Sequence, residues 1–192
     1  MVTLLNKIVG RWSNSGLIDK SDEDIYVYGL DLLIFTILNI VAIIITSVFI
    51  NKLIESIILL AVIIPLQSYG GGYHAKTHLR CFLAMYIGWW VVIFILPFIS
   101  PAVSFLMTII SIPIIFTLAP VPHENVKTSV EHRLKLRKLV RVIALFIGLL
   151  STFLTFSPSY SQLNFGTILS LGISVVSLSM FIAHIRYKVM HK

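Results

Sequence analysis

Residues 32–50 read LLIFTILNIVAIIITSVFI, a run of hydrocarbon interrupted only by hydroxyls and one amide. A helix needs roughly 20 mostly apolar residues to cross a bilayer, and this run, with the few residues before it, supplies them. The pattern recurs along the chain, giving candidate spans at about 28–50, 53–68, 80–98, 102–119, 139–157 and 164–185. Composition agrees: 57% of residues are hydrophobic and 12% charged, with a mean hydropathy of +0.95. A soluble domain carries about a quarter charged residues. The expected fold class is all-α, a polytopic membrane protein with six transmembrane helices, read as one domain over residues 1–192. The second span is the weakest. Its apolar core, Leu53 to Leu66, is brief and contains Glu55, which predicts a short, tilted or partly re-entrant segment. The first long apolar run starts near Leu30 and lacks a small-residue cleavage site, so no cleavable signal peptide is expected.

Orientation follows from the cations. Six spans put both termini on one face, with Lys7, Arg11 and Lys20 at the start and Arg186, Lys188 and Lys192 at the end. The same face takes Lys76 and Arg80 of the 67–80 loop. It also takes Lys127, Arg133, Lys135, Arg137, Lys138 and Arg141 in or beside the 120–138 loop. Of the 15 lysines and arginines, Lys52 alone falls opposite. The positive-inside rule therefore makes the termini and both loops cytoplasmic. A net charge of +7 is accounted for by topology, and nucleic acid is not an expected partner.

Residues 1–18 are too short and polar to span. Leu4, Leu5, Ile8, Val9 and Trp12 fall on one side of a helix, with Lys7 and Arg11 on the other, the pattern of a helix lying in the membrane interface. Ser21 and Asp24 have capping-box spacing for the first span. Pro97 and Pro101 bracket an outer turn, as Pro158 does later. Pro113 is expected to kink the fourth span, and Pro120 and Pro122 to end it.

Chemistry concentrates in residues 70–81, GGGYHAKTHLRC, which hold the single cysteine and two of the six histidines. In a reducing cytoplasm and without an intrachain partner, Cys81 forms no structural disulfide. It is either inert packing or a working thiolate. On one continuous helix His74 and Cys81 would share a face but lie about 10.5 Å apart along the axis, whereas a base must come within about 3 Å of the thiol. A straight helix forbids the pair and a broken one permits it. Gly70, Gly71 and Gly72 let the backbone turn and pack closely. Thr77 is suited to N-cap the third span, leaving Cys81 near a helix N-terminus with Lys76 and Arg80 adding positive charge, conditions that favour thiolate. His78, three residues from Cys81, is the rival base. Two other readings stand beside this one. Cys81 could be a small core hydrophobe among interfacial histidines, or His74, His78 and Cys81 could hold zinc on one helical face. Against zinc, the segment has no carboxylate and the chain no HExxH or CxxC. For the whole chain, a small transporter is disfavoured by the scarcity of ionisable residues within the spans. A non-catalytic scaffold predicts a silent Cys81→Ser.

The GGYHAKTHLRC segment resembles the accessory gene regulator protein B family, membrane endopeptidases of Gram-positive quorum sensing, in which Gly-Gly-x-His is followed seven residues later by Cys. Those positions here are Gly71, Gly72, His74 and Cys81. A second match is Ala119-Pro-Val-Pro-His-Glu-Asn-Val-Lys127 with basic residues following, and the likeness extends over nearly the whole chain. Many members carry a basic residue where this chain has Gln67. The resemblance implies a cysteine peptidase with His74 as base and Cys81 as nucleophile, needing no metal or other cofactor. Its substrate would be a small precursor peptide with an amphipathic leader, a cysteine-containing signal segment and an acidic tail. Cleavage through an acyl thioester, then capture by the substrate's own cysteine, would give a thiolactone autoinducing peptide of the kind that regulates virulence. The family also implies a homodimer among membrane lipids, in the plasma membrane of a Gram-positive bacterium, with its active site facing the cytoplasm. Lys127, Arg133, Lys135, Arg137 and Lys138 share that face, where they would meet the acidic tail, set topology beside anionic lipid, or do both.

Overall fold

Hydropathy and helix length coincide closely in this chain. A computed structural model describes residues 2–73, 78–121, 130–157 and 164–190, the side chains of Val2, His78, His132 and Met190 excepted. Among these residues there are seven α-helices and no strand: α1 (Val2–Asn14), α2 (Glu23–Phe49), α3 (Leu53–Gly70), α4 (His78–Ile95), α5 (Pro101–Leu118), α6 (Val130–Phe156) and α7 (Phe165–Met190). Helices α2 to α7 are long and apolar enough to cross a membrane, as the sequence predicts.

The weak second span is α3, one uninterrupted helix of 18 residues. That is about 27 Å at 1.5 Å per residue, close to the thickness of the hydrocarbon core. Glu55 lies in its first turn and pairs with Lys52 (Nζ–Oε1 2.7 Å), so the charge sits at the helix end. Of the expected alternatives, the helix is short, sharing the smallest length among the six spans, and it is continuous rather than re-entrant. Helix α6 begins at Val130, so residues 130–138 of the expected basic loop are helical. Leucine, lysine and arginine favour helix, and Lys135 closes an i,i+4 ion pair with Glu131 (2.8 Å). The capping box expected of Ser21 and Asp24 does not form. A 3₁₀ turn, Lys20–Asp22, leads into α2 instead, and the N-cap residue Asp22 makes no side-chain cap bond. At the outer turn before α5 the expectation holds better: Ser100 caps the helix by accepting from the Val103 N–H (3.4 Å), and Pro101 takes the first helical position.

Helix α1 packs on α2 through Leu5 and Val9, both buried, while Lys7 and Arg11 stay exposed. The centre of the bundle is α7, which packs on α3, α5 and α6 and is the most buried span. Leu66, Ile115, Val140, Ile173 and Met180 form the heart of the core. Large apolar side chains such as Phe49, Phe94, Phe98 and Leu149 point outward, a surface suited to lipid. Helix α4 packs chiefly on α2 and touches α3 only sparsely. That gap positions the site.

Candidate active site

Regular helix stops at Gly70. Gly71 has φ +72°, in the left-handed region where a side chain is strained, and residues 71–73 are non-helical before α4 starts at His78. The break expected between Gly70 and Thr77 is therefore present. His74, Lys76 and Thr77 lie outside the described residues, as does Lys127, and the side chain of His78 with them.

Each glycine of the run meets a different neighbour. A Cβ on Gly70 would collide with the Met180 side chain of α7, one on Gly71 would come within 3.1 Å of the Val121 carbonyl, and one on Gly72 within 2.8 Å of Ser179 Oγ. The backbone of α3 is thus drawn against α7 and against the segment after α5. The Val121 N–H donates to the Gly70 carbonyl (2.9 Å), so the end of α3 at Gly70 and Gly71 lies beside Val121. Cations of α6 secure the chain just before Val121. Arg137 Nε donates to the Ala119 carbonyl (3.1 Å), and Arg141 Nη2 donates to the Phe116 carbonyl (2.8 Å) with its guanidinium 5.3 Å from the Phe116 ring centre. Both carbonyls belong to the end of α5, where helical partners run out. No local sequence pattern signals this pairing, which joins residues far apart in the chain.

Cys81 is the fourth residue of α4, partly buried, and it opens on a cavity of about 240 Å³ bounded by α2, α3, α4 and α7. On α4 the wall descends from Cys81 through Ala84 and Gly88 to Val92, one face at helical spacing. Opposite stand Leu60 and Ile63 of α3 and Leu178 and Ile182 of α7. Among the described residues, the polar lining is Gln67, Tyr73, Ser179 and the thiol, towards the end of the bundle that carries the broken helix, with the Trp89 indole N–H engaged by Ser56. Ser179 Oγ accepts from the Tyr73 N–H (2.9 Å), and the Tyr73 ring lies under the Arg186 guanidinium (5.5 Å), which ties the strand of chain after Gly72 to α7. Tyr28 of α2 lies within electrostatic reach of Cys81.

Polar links to α2 and α3 help hold α4 in place. Asn39 Nδ2 donates to the Phe82 carbonyl (3.3 Å), Thr46 Oγ1 and Tyr86 Oη are 2.8 Å apart, and Trp89 Nε1 donates to Ser56 Oγ (2.9 Å). The first of these fixes the residue next to the thiol. Arg133, Lys135, Arg137 and Lys138 occupy the first turns of α6, exposed, and none of them lines the cavity.

The model of the Accessory gene regulator B family matches residues 4–181. The chain belongs to this family. No curated protein and no solved structure gives a match. Membership in the accessory gene regulator B family makes it a multi-pass membrane protein of quorum-sensing peptide processing, with a small precursor peptide as its partner.

Proposed function

We propose that the protein is a membrane cysteine endopeptidase that removes the C-terminal tail of its precursor peptide and hands the remaining acyl group to a thiol of the same peptide. One observation carries this reading: the chain's single thiol sits just past a broken helix, on the wall of a cavity, within the span that matches the family. The positive-inside distribution supports a cytoplasmic placement of the thiol.

His74 is the base. A straight helix would hold His74 about 10.5 Å from Cys81, seven residues of helical rise, and the end of α3 at Gly70 supports the pairing because that constraint does not apply. His74 takes the proton of Cys81, and the thiolate attacks the carbonyl carbon between signal and tail. The C–N bond then breaks, the imidazolium gives its proton to the leaving amine, and a thioester remains on Cys81. In the second step the precursor's cysteine loses its proton to His74 and attacks that thioester. The bond to Cys81 breaks, the enzyme thiolate returns, and a thiolactone closes. One thioester replaces another, so the step is near thermoneutral. A thiol tethered on the same peptide outcompetes water through its effective molarity, and loss of the tail draws the sequence forward.

Cys81→Ala and His74→Ala should each abolish precursor cleavage in membranes while the protein still inserts, with His78→Ala reducing activity less. A dead His78→Ala beside a near-normal His74→Ala would reassign the base. Persistence of cleavage in Cys81→Ala would end the cysteine-peptidase reading.

A further inference from the structure

The cavity is larger and more apolar than a thiol and its base require. It follows α4 from Cys81 to Val92, eleven residues or about 16 Å of helix, and its polar lining stops near the thiol. A cavity of 150 Å³ lined by aliphatic and aromatic groups stays dry and takes up a benzene ring. At about 240 Å³ this one has room for a branched or aromatic side chain. We propose that it is the subsite for a large hydrophobic side chain on the acyl half of the substrate, next to the scissile bond. The inference rests on the cysteine-endopeptidase reading and adds the specificity of that site.

Connectivity decides which half enters. The Cα bearing this side chain is bonded directly to the carbonyl carbon that Cys81 attacks, so a carbonyl at the thiol places the side chain at the cavity mouth. Ala84 and Gly88, three and seven residues beyond Cys81 on the same face of α4, leave the space beneath it open. A Cβ on Gly88 would meet nothing within 4 Å. The acyl half must stay docked through both steps, whereas the tail must depart, and a charged tail is costly to place among aliphatic groups. A side chain filling the cavity also excludes water from the thioester until the second thiol arrives.

The test uses the full chain in vesicles of phosphatidylglycerol and phosphatidylethanolamine, with three chloromethyl ketones as probes: N-acetyl-phenylalanyl, N-acetyl-leucyl and N-acetyl-alanyl. Each presents a carbonyl and one side chain as an acyl half would, and alkylates a thiolate with loss of chloride. The chain has a single cysteine and six histidines, so peptide mapping assigns the thioether adduct to Cys81 and separates it from any imidazole adduct. The phenylalanyl and leucyl reagents should react about tenfold faster than the alanyl one, the return expected from burying one large apolar side chain. Gly88→Leu and Ala84→Leu, two independent ways of filling the space, should bring that ratio towards unity. Iodoacetamide, which has no side chain to place, should label all three proteins at rates within about twofold, showing an intact thiol. Partitioning of the reagents into lipid is common to all variants and cancels in the comparison. A ratio unchanged by both substitutions would overturn the inference and leave the cavity to lipid acyl chains. Precursor cleavage by Cys81→Ala would overturn the underlying peptidase reading, whatever the reagent ratios.

Discussion

Helices α5, α6 and α7 meet through hydroxyls and glycines, whereas α4 carries a ladder of rings, meets α2 through single polar links and borders a cavity. In the first region Ser170 Oγ donates to the Ser104 carbonyl (2.6 Å), Thr108 Oγ1 donates to Ser170 Oγ (3.0 Å), and Ser151 Oγ donates to the Gly166 carbonyl (2.7 Å). Lipid tails are as apolar as leucine, so helices in a bilayer gain little from burying hydrocarbon and associate through close packing and hydrogen bonds. Small residues serve both needs. In the second region Phe82, Tyr86 and Trp89 form a ladder along α4, with ring centres 6.0 and 5.8 Å apart. Single polar links replace the seam. The close-packed region supplies a fixed wall in α7, and the open one presents the thiol to whatever enters between.

Glycine tests this contrast most severely. A Cβ on Gly166 would lie 2.5 Å from the Thr155 backbone nitrogen and 2.6 Å from the Ser151 carbonyl oxygen, and a helix backbone cannot yield as a side chain does. Gly166→Ala should cost at least the upper part of the roughly 1–3 kcal/mol typical of overpacking, read as a lower thermal midpoint in detergent. Gly88→Ala has open space around it and gains up to about 1 kcal/mol in helix propensity, so it should be neutral or mildly stabilising. Equal losses at both positions would mean that the two regions do not differ in packing.

Polar links should rank next. Ser56→Ala leaves the buried Trp89 N–H without its acceptor, a loss of about 1–3 kcal/mol. Ser170→Ala should cost nearer the 0.6 kcal/mol average found for hydrogen bonds within membranes. The reason is redundancy, since the Thr108 hydroxyl lies 3.1 Å from the Ser104 carbonyl and can turn its one proton there once Ser170 Oγ is gone. Thermal unfolding of the two variants side by side decides it. A larger loss for Ser170→Ala would show the seam to be one cooperative unit.

The spans were legible because a bilayer demands an unbroken apolar run, and the break at Gly70–Gly72 because seven residues of straight helix would hold His74 and Cys81 apart. Hydropathy misread residues 130–138 as loop, since it registers the charges and not the spacing of Glu131 and Lys135. The contacts of Arg137 and Arg141 with the end of α5 join residues 18 and 25 apart, beyond any local pattern. The cavity is a property of the distance between helices. Cys81, Ala84 and Gly88 mark its α4 wall at helical spacing, yet small residues on a span can equally mark a tight contact.

The basic turns of α6 give the smallest effects and need the most care. Arg137 holds the Ala119 carbonyl, so Arg137→Gln should lower thermal stability and is a poor probe of recognition. Arg133, Lys135 and Lys138 are exposed, and Lys135 already faces Glu131. On the proposed reading, in which the precursor carries an acidic tail, each would contribute only about 0.2–1 kcal/mol to holding it. Replacing the three together with Gln should raise the apparent KM several-fold and leave kcat and the thermal midpoint nearly unchanged, and added salt should weaken the unmodified enzyme in the same direction. The deciding measurement is reciprocal. Neutralising the acids of the precursor tail should impair the unmodified enzyme but add little further loss in the triple variant, because interacting groups fail to add. If the two losses simply sum, these cations serve topology and anionic lipid, and the tail is recognised elsewhere.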